Sequence, residues 1–119
     1  MLHPELLING KPWSDTQEID TLFQLDTFAC EIEYTWLSVE FSSTRAAFIG
    51  WGDEFSDTVY YFDNGSHQRC SVDLLINVCP QERMLCYDTK ALKEIVTYFC
   101  QTGQRCPKYN WIEDTGELL

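Results

Sequence analysis

Basic residues are scarce in this chain and nearly missing from its first half. Eight Lys and Arg stand against nineteen Asp and Glu, a net charge of −11. Residues 1–63 hold twelve acids and two bases, Lys11 and Arg45, while residues 64–119 hold seven acids and six bases. A folded surface of that sign repels nucleic acid and anionic lipid and draws cations. Histidine is equally sparse. His3 sits near the N-terminus and His67 in a Gly-Ser-His-Gln loop, with no local partners for a nucleophile–base–acid triad. There is no Gly-rich phosphate loop, since Gly50 and Gly52 form only Gly-x-Gly without a following Lys-Ser/Thr. The loop with Asp53, Glu54 and Asp57 lacks the alternating Asp run and closing Glu of a calcium loop. A two-carboxylate glycosidase needs a sugar-sized cleft, for which a chain this short leaves little room.

Long apolar runs are missing as well. Nothing approaches the ~18 residues of a membrane span. The N-terminal stretch Met1–Ile8 has no basic region and ends in the short run Leu6-Leu7-Ile8, which is not the form of a signal peptide. The expected location is the cytoplasm. Six cysteines are present, at positions 30, 70, 79, 86, 100 and 106, and no two have the two- to four-residue separation of a zinc knuckle. Reduced thiols are expected ahead of disulfides or metal ligation. Cys30, Cys70 and Cys100 fall on apolar faces as small hydrophobes. No metal or cofactor is expected.

What the chain does have is apolar and aromatic substance, 45% and 14% of its residues. That is far from a disordered acidic tail and enough for one domain over residues 1–119. Ser14-Asp15-Thr16-Gln17 has the form of a capping box, and Ile19, Leu22 and Phe23 follow at helical spacing, predicting a short helix over 14–25. Phe28, Cys30, Ile32 and Tyr34 alternate with polar residues as a half-buried strand does. The phase slips at Tyr34–Leu37, which signals a turn or bulge, and Leu37, Val39 and Phe41 continue on the other parity. Ala46–Trp51 and Thr58–Asp63 read as further strands, Asn64-Gly65 as a turn, and Cys70–Val78 as a cleanly alternating strand ended by Pro80. Short extended segments are expected over Arg83–Tyr87 and around Trp111. Leu92, Ile95, Val96, Phe99 and Cys100 form one apolar helical stripe, capped by Asp88 and closed by Gly103. The expected fold is α+β: an antiparallel sheet of about four to five strands, with a short N-terminal helix and an amphipathic C-terminal helix packed on one face.

The acids give the candidate site. Asp15, Glu18 and Asp20 have a local explanation, since carboxylates favour a helix N-terminus. Glu31, Glu33, Glu40, Asp53, Glu54, Asp57 and Asp63 have none. The expected contact region is the loop Asp53–Asp57, flanked by Trp51, Tyr60 and Asp63, with Glu31, Glu33 and Glu40 on adjoining strands. Carboxylates there pair with Arg or Lys of a partner, and aromatics supply desolvated anchors. The plainer alternative is that the acids solvate the face and the aromatics are core.

Three blocks carry a family resemblance. They are the strand series Trp36–Phe41, Ala46–Trp51 and Thr58–Asp63, the helix Lys90–Gln101, and the tail Gln104–Trp111 with Pro107 and Trp111 four apart. In order and spacing they resemble the first-numbered immunity protein family of bacterial polymorphic toxin systems, often encoded beside deaminase-type toxins. The resemblance implies a small α+β antitoxin without catalytic activity. Such a protein binds its cognate toxin one to one and covers the active site or its approach. It also implies a structural role for Pro107 and Trp111. It supplies no site residues, because members contact toxins through variable surfaces. Two other readings stay open: an acidic adaptor or regulatory domain that binds a different basic partner, and a small enzyme using His67 or a carboxylate pair.

Overall fold

The computed structural model describes residues 1–13, 19–72 and 80–116. Its centre is an antiparallel meander of four strands, the first two of which follow the alternation in the sequence. β3 (Thr27–Ile32) turns at Glu33-Tyr34 into β4 (Thr35–Phe41), and β4 turns into β5 (Ala47–Asp53), which is followed by β6 (Val59–Asp63). Register pairs Ile32 with Thr35, Leu37 with Trp51 and Trp51 with Tyr60. One face of the sheet therefore collects Phe28, Cys30, Leu37, Val39, Ile49, Trp51 and Phe62, all in one buried cluster. Burying each large apolar side chain contributes about 1.5–3 kcal/mol.

β1 (Leu7–Ile8) and β2 (Lys11–Pro12) extend the sheet beyond β3, and β8 (Asn110–Asp114) extends it beyond β6. β7 (Leu85–Cys86) pairs with the start of β5 beside β6. The described sheet thus has eight strands, with the order β2-β1-β3-β4-β5-β6-β8 and β7 off that path. This corrects the expected four to five. β1, β2 and β7 are two residues long, too short to show a period of two.

The helix α1 (Thr89–Thr102) lies on the buried face through Leu92, Ile95, Val96, Phe99 and Cys100. Asp88 caps it by accepting from the Lys90 N–H at 2.9 Å. Gly103 ends it in the left-handed region (φ 75°), its N–H donating to the Phe99 carbonyl at 2.7 Å. That backbone suits glycine, and a Cβ there would also press on Thr35 Oγ1. Cys30 and Cys100 face each other in the core. Their mutual hydrogen bond and their burial hold the Cys30 thiol far above its ordinary pKa, so it behaves as a small hydrophobe. Cys30, Cys70, Cys86, Cys100 and Cys106 are all free thiols. The tail returns to the core as Trp111 Nε1 donates to the Cys106 carbonyl at 3.1 Å and its ring meets Phe62 edge-on.

Between β2 and β3 the chain forms a 3-10 stretch, Ile19–Gln24, in which Leu22 is buried. The capping box Ser14–Gln17 lies outside the described residues, as does most of the expected strand 70–78. Of its described part, Ser71 bridges to Gln81, and Val72 packs with Phe48, Met84, Leu85 and Ile112 against the opposite face of the sheet. No helix among the described residues is long and apolar enough to cross a membrane.

Candidate functional site

Antiparallel pairing of β4 with β5 sets Thr35 opposite Asp53. The β3–β4 turn and the β5–β6 loop therefore emerge side by side at one end of the sheet. The Glu54 N–H donates to the Tyr34 carbonyl at 2.9 Å, which ties the two tips together. The β5–β6 loop is braced from within: Asp53 Oδ1 accepts from the Phe55 N–H at 2.9 Å and Ser56 Oγ from the Thr58 N–H at 3.0 Å. On this scaffold the rings of Tyr34 and Phe55 stand 4.9 Å apart and tilted by 56°. Both point to solvent, with Tyr34 55% and Phe55 79% exposed. Large aromatics normally hide their faces, so two in contact on a surface form an apolar patch of the kind that marks an interaction site.

Four carboxylates belong to the same two tips: Glu33 to the first, and Asp53, Glu54 and Asp57 to the second. Glu33 has one basic neighbour, His3, with Nε2 4.0 Å away. Asp53, Glu54 and Asp57 make no ion pair among the described residues. The acids that do, Asp26 with Arg45, Asp20 with Lys93 and Glu94 with Lys108, lie elsewhere. The tip acids are not arranged as a metal centre, and among the described residues no three His, Cys, Asp or Glu side chains are.

Glu33 also occupies the left-handed region at φ 54°, a conformation that costs a non-glycine residue about 1–3 kcal/mol. Glu33→Gly relieves the turn while removing one carboxylate from the patch. Its thermal midpoint is expected to rise by roughly 3 °C, set by about 0.5–1 kcal/mol that remains after glycine's greater unfolded-state entropy offsets part of the relieved strain. Calorimetry checks this, and a fall in the midpoint would contradict it.

The nine candidates divide sharply. Glu33, Asp53, Glu54 and Asp57 come together at the tips. Glu31 is exposed near them, on the sheet face away from α1, where it pairs with Trp36. Trp51 is a correction to the expected surface. It is 7% exposed on the helix side, and its Nε1 donates to the Gly103 carbonyl at 3.0 Å. Tyr60 is half-buried and already covered by a cation of this chain, with the Arg105 guanidinium 3.6 Å above its ring. Asp63 ends β6 away from the tips, where its Oδ1 accepts from the Gly65 N–H at 2.9 Å. Glu40 lies near the far end of β4, opposite Phe48.

Glu40 is a strained member of that set. Its Oε2 is buried without a hydrogen-bond partner, and desolvation raises its pKa above the ordinary carboxylate value. Because the folded state holds this proton more tightly, the associated stability is present in acid and is lost as pH rises through the raised pKa. Glu40→Gln is therefore expected to raise the thermal midpoint at neutral pH by roughly 3 °C, corresponding to somewhat under ~1 kcal/mol. The advantage should vanish near pH ~3.5, where both forms are neutral. A midpoint difference independent of pH would contradict it.

Tyr34 escapes a reading of the sequence because it continues the apolar parity of β3. The available signal is the phase slip at Tyr34–Leu37: a tight turn there swings the ring off the sheet face. Phe55 sits among the loop acids, yet nothing in the pattern says which aromatic of that region stays outside. Compared with known proteins, the chain matches no family model, no curated protein and no solved structure.

Proposed function

We propose that this protein is an immunity-type inhibitor that binds a basic toxin, of the kind that acts on nucleic acid or deaminates it, and covers its substrate cleft one to one. The observation that carries the reading is the pair of solvent-facing rings, Tyr34 and Phe55, set among four carboxylates with almost no base of their own. An enzyme that grips nucleic acid presents a cationic cleft. A rigid acidic patch steers towards such a cleft from a distance and pairs with its Arg and Lys on arrival. Burying the exposed Phe55 ring against the partner adds about 2 kcal/mol. Charge brings the partners together, and the rings slow their separation. The resemblance of the strand series, helix and tail to immunity proteins points the same way.

Coexpression with the product of the neighbouring gene tests the proposal. The expected result is restored growth and a one-to-one complex that survives size-exclusion chromatography. Continued toxicity with no complex would contradict it. Binding to a non-toxic basic protein, with no toxin gene nearby, would favour the adaptor reading instead.

A further inference from the structure

We infer that the hollow between the two hairpin tips and the end of α1 receives one arginine side chain of the partner, an inference that rests on the basic-partner reading above. The hollow has a volume of about 250 Å³, and its walls include His3, Glu33, Tyr34, Asp53, Phe55 and Gly103. It is smaller than the roughly 300–1,000 Å³ that encloses a whole small-molecule ligand, and its scale suits a single long side chain.

Three features set the occupant, and they come from different parts of the chain. The first is the end of α1. A helix of 14 residues closes here at Gly103, with no basic residue in its last turn. The carbonyl end of a helix favours a cation, an attraction reduced here because the Phe99, Cys100 and Gly103 carbonyls already accept from the Gly103 N–H, the His3 N–H and Trp51 Nε1. The second is the pair of carboxylates. Asp53 uses Oδ1 for the Phe55 N–H, which leaves Oδ2 for a donor, and Glu33 lines the same hollow with His3 Nε2 4.0 Å from its Oε1. The third is the open faces of Tyr34 and Phe55. Helix end and carboxylates demand a cation, and the rings demand a flat one.

Arginine meets both demands. Its guanidinium lies flat on an aromatic ring while its N–H fork reaches carboxylate oxygens at the edge, whereas a lysine ammonium is a compact, strongly hydrated point charge. The chain uses the same contact beside the hollow, where Arg105 lies 3.6 Å from the Tyr60 ring and 5.2 Å from that of Trp51. The next residue back, Gln104, lines the hollow itself.

The test is an NMR titration of ¹⁵N-labelled protein with acetyl-Gly-Arg-Gly-amide, with its lysine and citrulline counterparts, and with octa-arginine in a separate arm. The arginine tripeptide is expected to move the amide resonances of Thr35, Glu54, Phe55 and Gly103 saturably. The lysine peptide should bind more weakly, and the citrulline peptide should leave those resonances unmoved. Phe55→Ala, a change at an exposed position, should weaken the arginine peptide by about threefold to fivefold, the loss of one exposed cation–π contact. Scattered shifts, or equal binding by lysine or citrulline, would overturn the arginine site. If octa-arginine still moved the tip resonances in that case, the basic-partner reading would stand. Tip resonances unmoved even by octa-arginine would overturn that reading as well.

Discussion

Reversing Asp53, Glu54 and Asp57 to lysine together is expected to leave the fold intact and to slow association with the basic partner by roughly ten- to a hundredfold at low ionic strength. The fold should survive because none of the three has an ion-pair partner among the described residues. The main internal loss is the Asp53 hydrogen bond to the Phe55 N–H, worth about 1 kcal/mol. The change is electrostatic and local: each reversal adds two charges, so the net charge moves from −11 to −5. Salt should matter less to the variant, because screening then has less attraction to remove. The control is a second triple reversal, Glu5, Glu31 and Glu113 to lysine, exposed positions whose change gives the same net charge with the tip residues untouched. Stopped-flow mixing of both variants separates the two causes. Equal slowing would mean that overall charge governs the encounter and that the tips have no special part in it.

Trp51→Ala should be the most destabilising single change at the site's edge, with a cost of about 3–5 kcal/mol. Total stability for a domain of this kind is about 5–15 kcal/mol, so the thermal midpoint should fall by roughly 15 °C or more. The cost has two origins. The indole fills the core between β5 and α1, 7% exposed and packed against Tyr60. Its Nε1 also supplies the donor that holds the Gly103 carbonyl at the end of α1. Trp51→Phe separates these, since it keeps most of the volume and drops the donor, and should cost about 1–2 kcal/mol. Urea denaturation midpoints measure both. A Trp51→Ala protein as stable as the parent would restore Trp51 as a surface contact and contradict its place in the core.

Most of the meander and α1 can be read from periodicity. Phe28 to Ile32 and Leu37 to Phe41 alternate because one sheet face is packed under α1, and the phase slip between them marks the Glu33-Tyr34 turn. Leu92 to Cys100 is unambiguous because a helix on a sheet buries a single stripe. β5 is the opposite case. Six of its seven residues are buried, because α1 covers one face while Met84 and Leu85 pack on the other. With no alternation to read, the side to which Trp51 points is hidden in the sequence. The same limit applies to Tyr60, whose cover is Arg105, 45 positions along the chain. Glu40 sits on the outward parity and reads as solvated, yet desolvation has shifted its carboxyl. The acids of the tips are legible because they cluster in one loop. Tyr34 joins them only through strand register, a long-range property.

The most direct test of the account is the hydrogen-exchange footprint of the protein in complex with the basic partner that coexpression isolates. Backbone amides at positions 33–35 and 53–57 should exchange more slowly in the complex than in the free protein. Protection confined to the outer face of α1 or to the β8 edge, with the two tips unchanged, would contradict the account.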